Sequence, residues 1–212
     1  MKKYLFLAVL FISFFSCKKD DNKETIKPIG EYQYLNSLYA GQETGLGIKY
    51  TDIEPDDILT VTTYSNECTK AYIFDNNDSL GFKITYGISS PFMLGAKSCW
   101  LKITPLNKNS SISVLNSDTT IVDTLKYNNI IDSTKNWSNS MAILYSNITF
   151  FNGNTSSKGF WQNNNKFYIG IRMKNKGKYI YGWIFVKCGD YNSFSENVIT
   201  RYAITIPYLI YK

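Results

Sequence analysis

Residues 166–187 read Lys-Phe-Tyr-Ile-Gly-Ile-Arg-Met-Lys-Asn-Lys-Gly-Lys-Tyr-Ile-Tyr-Gly-Trp-Ile-Phe-Val-Lys. Two runs rich in Ile, Val, Tyr, Phe and Trp flank the polar segment Lys174-Asn175-Lys176-Gly177. β-Branched and aromatic side chains suit a pleated, packed surface. Asn and Gly tolerate the positive φ angles that a tight hairpin turn demands. The stretch therefore predicts two antiparallel strands, 166–173 and 178–187, joined by a short turn.

The same pattern continues on both sides. Short apolar or alternating runs bounded by Asn, Asp, Ser and Gly predict strands at 47–50, 58–63, 71–74, 82–86, 99–104, 111–115, 141–150, 198–206 and 208–211. No segment sustains a 3.6-residue period. Many short strands at regular spacing predict an all-β protein, an antiparallel β-sandwich of jelly-roll or immunoglobulin-like kind. The chain has 212 residues. Residues 1–16 read as a signal peptide, 17–30 as a charged tether, and 31–212 as a single domain. The Asn/Ser/Thr-rich span 106–140 is the best place for a long connection or a weak boundary.

Composition excludes several kinds of chemistry. The chain has no histidine. That removes Ser-His-Asp and Cys-His nucleophile pairs and His-ligated metal sites. Glutamate is sparse, and no carboxylate pair of the kind glycoside cleavage uses is evident. The formal net charge is +6, of which the leader's Lys2 and Lys3 supply two, leaving about +4. Basic residues past Lys27 form no dense run, so a nucleic-acid partner is not expected. No cofactor and no metal site are expected. The acidic segments Asp52–Asp57 and Asp75–Ser79 lack the ligand spacing of a calcium loop and read as turns.

The N-terminus carries the clearest address. Met1-Lys2-Lys3, then an apolar run from Tyr4 to Phe15, then Ser16, has the plan of a secretory signal. Phe14-Phe15-Ser16-Cys17 resembles a bacterial lipobox. That resemblance implies cleavage before Cys17 and acylation of its thiol and amine. Lys18-Lys19-Asp20-Asp21 resembles the export signal of surface lipoproteins in the Bacteroidota, which implies an outer-membrane, surface-exposed location. The order Asp132-Ser133…Trp137, Phe160-Trp161, Tyr168-Ile169-Gly170-Ile171-Arg172, Tyr181-Gly182-Trp183-Ile184 and Tyr202-Ala203 resembles a β-rich module of secreted and surface bacterial proteins. It implies a sandwich and no activity.

Three cysteines remain beyond Cys17 in what would be an oxidising compartment: Cys68, Cys99 and Cys188. Three pairings are open. Positions at neighbouring strand starts favour Cys68–Cys99; three buried or free thiols is the other reading. Trp100 and Trp183 sit inside strong strand patterns and are expected in the core. Trp137 and Trp161 lie in Asn/Ser-rich stretches, where an exposed ring could stack on a sugar. Ser79, Thr119, Thr124 and Ser133 each follow an aspartate, in a pattern resembling the O-glycosylation acceptor of the Bacteroidota. Strand-end turns explain the same dipeptides.

These features frame three functional expectations. The first is a non-catalytic surface lipoprotein, held by outer-membrane lipid, that contacts glycan or another envelope protein. The second is a polysaccharide hydrolase using two carboxylates. The third is a structural subunit of a secretion or nutrient-uptake complex.

Overall fold

The hairpin forms where the sequence predicts it: β13 (Lys166–Asn175) pairs antiparallel with β14 (Lys178–Lys187), in register from Lys166↔Lys187 to Asn175↔Lys178. Lys176 (φ 48°) and Gly177 (φ 79°) form the two-residue loop, both left-handed. This is the geometry whose twist matches the flanking strands. The positive φ thus falls on Lys176 and Gly177 rather than on Asn175.

The computed structural model describes residues 30–61, 66–74, 80–89, 97–159, 166–187, 197–205 and 208–211, with backbone alone at 30–32 and from 197 onward. No helix occurs among these residues. The other strands are β1 (Gly30–Gln33), β2 (Ser37–Tyr39), β3 (Ile48–Leu59), β4 (Glu67–Ile73), β5 (Gly81–Ser89), β6 (Lys97–Pro105), β7 (Ser110–Ser113), β8 (Thr124–Leu125), β9 (Ile130–Asp132), β10 (Trp137–Ser138), β11 (Ala142–Thr149), β12 (Thr155–Gly159), β15 (Asn197–Thr205) and β16 (Tyr208–Tyr211).

Two antiparallel sheets make an all-β sandwich that does not close into a barrel. The larger has the order β10-β7-β13-β14-β15-β3, with β8 also on β13; the smaller runs β12-β11-β6-β5-β4. β2 pairs with β9, and β1 with β16. One compact unit spans Tyr32–Ile210. The span 106–140 is built into that unit, supplying β7, β8, β9 and β10.

Alternation explains the packing. Ile84, Leu101, Ile103 and Leu144 from the smaller sheet meet Ile112, Ile169, Ile171 and Ile184 from the larger one in a shared core. The outer face of the larger sheet is covered as well. There Tyr168, Tyr181 and Trp183 pack with Leu38, Leu125 and Ile131, so the β2–β9 pair lies over β13 and β14 as a partial third layer. A strand buried on both faces has no solvent side to keep polar. That is why 166–187 reads as nearly continuous apolar sequence.

Three expectations need correction. The acidic segment Asp52–Asp57 is not a turn: it lies inside β3, at the edge of the larger sheet. Edge strands tolerate proline and gain from charge, which blocks pairing with another chain. Asp57 there receives an ion pair from Lys70 of β4, at 2.6 Å.

Trp100 is not a core side chain. On β6 the inward positions fall to Cys99, Leu101 and Ile103, so Trp100 points to the outer face and is half-buried. Its ring lies against Gly87, where an added Cβ would come within 2.4 Å of it. The ammonium of Lys102 sits 5.0 Å from its centroid.

Finally, Cys68 and Cys99 do not pair. Cys68 is opposite Tyr86 and Cys99 is opposite Ile88, so β5 runs between them. Two strand spacings are about 9.6 Å, beyond the roughly 7 Å reach of a disulfide. Both thiols are free. Burial pushes the Cys99 thiol upward in pKa and shields it. Alkylation of the native protein, followed by peptide mapping, is therefore expected to label Cys68 faster than Cys99; recovery of a Cys68–Cys99 peptide would contradict this arrangement.

Candidate functional site

The outer face of the larger sheet carries a cleft where the β2–β9 cover ends. Ser111, Arg172 and Tyr181 are neighbours across β7, β13 and β14. Two-residue periodicity then places Tyr168, Gly170, Arg172 and Lys174 outward along β13, and Tyr179, Tyr181 and Trp183 outward along β14. The turn between β6 and β7 adds Lys108 and Asn109, held by a 2.7 Å hydrogen bond from the Lys174 amide to the Asn109 carbonyl. β10 contributes Trp137, opposite Ser113. The resulting cleft encloses about 300 Å³ and is lined by Lys108, Asn109, Ser111, Trp137, Asn139, Arg172, Lys174 and Tyr179.

Arg172 is the centre of this arrangement. Its guanidinium carbon lies 4.8 Å from the Trp137 ring centroid and 4.5 Å from that of Tyr179. Each such contact is worth about 0.5–2 kcal/mol, more as water is excluded. Burial lowers the arginine pKa, and the neighbouring tyrosines oppose that shift. Its Nε is buried without an acceptor among the described residues. Lys174 extends the basic surface, its Nζ 6.0 Å from the Tyr179 ring. Among the described residues, no carboxylate pairs with Lys108, Arg172 or Lys174.

Trp137 is less free than a loop tryptophan. It is half-buried on a strand, and its Nε1–H donates to the Asp132 carbonyl at 3.0 Å. Its ring also packs against Tyr181 at 6.1 Å. It therefore forms a fixed wall of the cleft. Asp132 is itself committed, accepting from the Thr134 amide and hydroxyl at 2.8 and 2.6 Å.

The chain matches no protein-family model, no curated protein and no solved structure.

The remaining sequence-selected positions scatter. Thr119 and Ser133 are exposed at turn tips. In each turn the preceding aspartate accepts from the threonine two residues on, Asp118 from Thr120 and Asp132 from Thr134. Those hydrogen bonds hold the Asp118 carboxyl below its usual pKa. Thr124 lies on β8, opposite Ile169. Cys17, Lys18, Lys19, Asp20, Asp21, Ser79, Trp161 and Cys188 lie outside the described residues, as does the acidic segment 75–79.

Among the described tryptophans picked out from sequence, Trp137 lines the cleft and Trp100 and Trp183 do not. Arg172, Tyr179, Lys108, Lys174, Asn109, Asn139 and Ser111 were not legible as a set, because they come from four separate segments. One signal was available. Arg172 interrupts an otherwise apolar strand at a position that shares a face with Tyr168 and Gly170.

Proposed function

We propose that this chain is a lipid-anchored surface protein of the outer membrane that binds glycan without cleaving it. The N-terminal resemblance supports the location, with Cys17 as the anchor and Lys18–Asp21 as the export signal. The cleft supports the activity. It combines two aromatic walls, Trp137 and Tyr179, with the hydrogen-bonding groups of Asn109, Ser111 and Asn139. The open part of the Tyr179 ring, 40% exposed, can pack on the C–H face of a sugar ring, while Trp137, held between Arg172 and Tyr181, shapes the cleft and amides and hydroxyls bond sugar hydroxyl groups. A volume of about 300 Å³ suits one or two sugar units. Among the described residues no carboxylate lines it, so they do not supply the acid and base of a glycosidase there. Binding favours this reading over the hydrolase and over a purely structural subunit.

The test is retention on immobilised polysaccharides, with affinity read by calorimetry. Affinity is expected to be roughly micromolar to millimolar, since one ring, Tyr179, has open surface for stacking. Tyr179→Ala should weaken binding about tenfold and lower the melting temperature by only a few degrees, because Tyr179 is 40% exposed and loses mainly its contact with Arg172. Trp137→Phe should weaken it several-fold while keeping most of the packing on Tyr181. Release of new reducing ends from a bound polysaccharide would argue for the hydrolase instead. Wild-type protein that binds no polysaccharide would remove the glycan reading.

A further inference from the structure

Building on the glycan reading, we infer that the sugar bound in this cleft carries an acidic group, a carboxylate or a sulfate ester, and that Arg172 receives it with Lys108 and Lys174 beside it. Among the described residues, three cations and no acid line this small cleft. Like charges gathered this closely repel, and partial burial of an arginine costs solvation. A ligand anion would supply the missing countercharge.

The form of the arginine matters as much as its charge. The Trp137 and Tyr179 ring centroids lie 4.8 and 4.5 Å from the guanidinium carbon. Ring contacts of this kind restrain the group, and because its Nε is buried, the terminal Nη groups are the donors left for a ligand. The guanidinium makes no hydrogen bond among the described residues. A planar donor fork held in place matches the paired oxygens of a carboxylate or sulfate, and little order remains to be imposed on binding.

Two features select an acidic sugar over a bare anion or an acidic peptide. Asn109, Ser111 and Asn139 place neutral hydrogen-bonding groups around the cations, as a ring of hydroxyls requires. The exposed part of Tyr179 adds a small apolar surface that a free sulfate or phosphate cannot use.

The experiment compares matched ligands by calorimetry, on the soluble chain lacking the leader. Oligogalacturonate is set against its methyl ester, and dextran sulfate against dextran; sodium sulfate and polyglutamate serve as anions without sugar. At least one acidic sugar is expected to bind about tenfold or more tighter than its neutral counterpart, with the gap shrinking as salt rises. Arg172→Gln should abolish most of that difference. Because Arg172 also packs between rings, the double variant Lys108→Gln/Lys174→Gln provides a second measurement at exposed positions. It should reduce acidic-sugar affinity about fivefold, at an unchanged melting temperature.

Equal binding of acidic and neutral forms would overturn the inference and leave the glycan reading standing. Discrimination that survives in both Arg172→Gln and the double lysine variant would overturn the assignment to this cleft. Polyglutamate or sulfate binding as tightly as the acidic sugars would overturn the choice of a sugar. No binding of any saccharide, acidic or neutral, would overturn both readings.

Discussion

Replacing Trp183 with alanine is expected to lower the unfolding free energy by about 3–5 kcal/mol, the usual loss for a large ring removed from a closed core. Trp183 is fully buried. Its ring meets Tyr168 edge-on at 5.1 Å and Tyr50 at 6.2 Å. Its Nε1–H donates to the Gln42 carbonyl at 3.2 Å. That hydrogen bond ties the segment after β2 down onto β14. The alanine variant therefore loses packing area and a hydrogen bond together, and the cover over the larger sheet loses its main anchor. Against a typical total of about 5–15 kcal/mol, the loss takes up a large share of the stability. Trp183→Phe keeps most of the ring and loses the donor, so it should cost about 1–2 kcal/mol. Denaturant unfolding of both variants measures the difference. A loss below about 1 kcal/mol for the alanine variant would mean that β2 and β9 do not pack on β14 as described.

The second large effect concerns location. Cys17→Ala, made behind a leader that is cleaved without the cysteine, is expected to move the protein from the membrane fraction to the soluble fraction almost completely. Acyl chains bind a bilayer by burying methylene groups, at about 0.8 kcal/mol each, and a protein with two or more such chains stays attached. Nothing else in residues 18–29 offers a comparable apolar length. Replacing Lys19, Asp20 and Asp21 with alanine should leave the lipid in place and reduce protease accessibility on intact cells. Membrane retention of Cys17→Ala would contradict the anchor. Unchanged accessibility of the triple variant would contradict the export signal.

The two effects differ in how far the sequence foretold them. The proposed anchor rests on local chemistry, read from adjacent residues. The hairpin of β13 and β14 is also local: its residues are close along the chain, its turn has Gly177 where a left-handed residue is needed, and its apolar runs are long. Strands such as β8 and β10, each two residues long, carry no period to detect. β12, Thr155–Gly159, is polar throughout and exists because β11 supplies its partner. Propensity cannot reveal a strand whose stability comes from its neighbour.

Trp100 and Trp183 show the same division within one residue type. Both sit in apolar strands, and a strand pattern alone does not say which face will be covered. Trp183 is buried because β2 and β9 fold over its face of the larger sheet. Trp100 is half-exposed because inward positions of β6 are taken by its neighbours and its own side is the outer one.

By itself, then, the sequence determined an all-β chain, a central hairpin and a composition without histidine, since each of these depends on residues adjacent in the chain or on composition alone. The tertiary structure decided the rest. β5 separates Cys68 from Cys99, and the strand order β10-β7-β13-β14 brings Trp137, Ser111, Arg172 and Tyr179 to one cleft. Strand order is set by long-range pairing and by which faces can be buried together, and no local stretch of this chain contains that information.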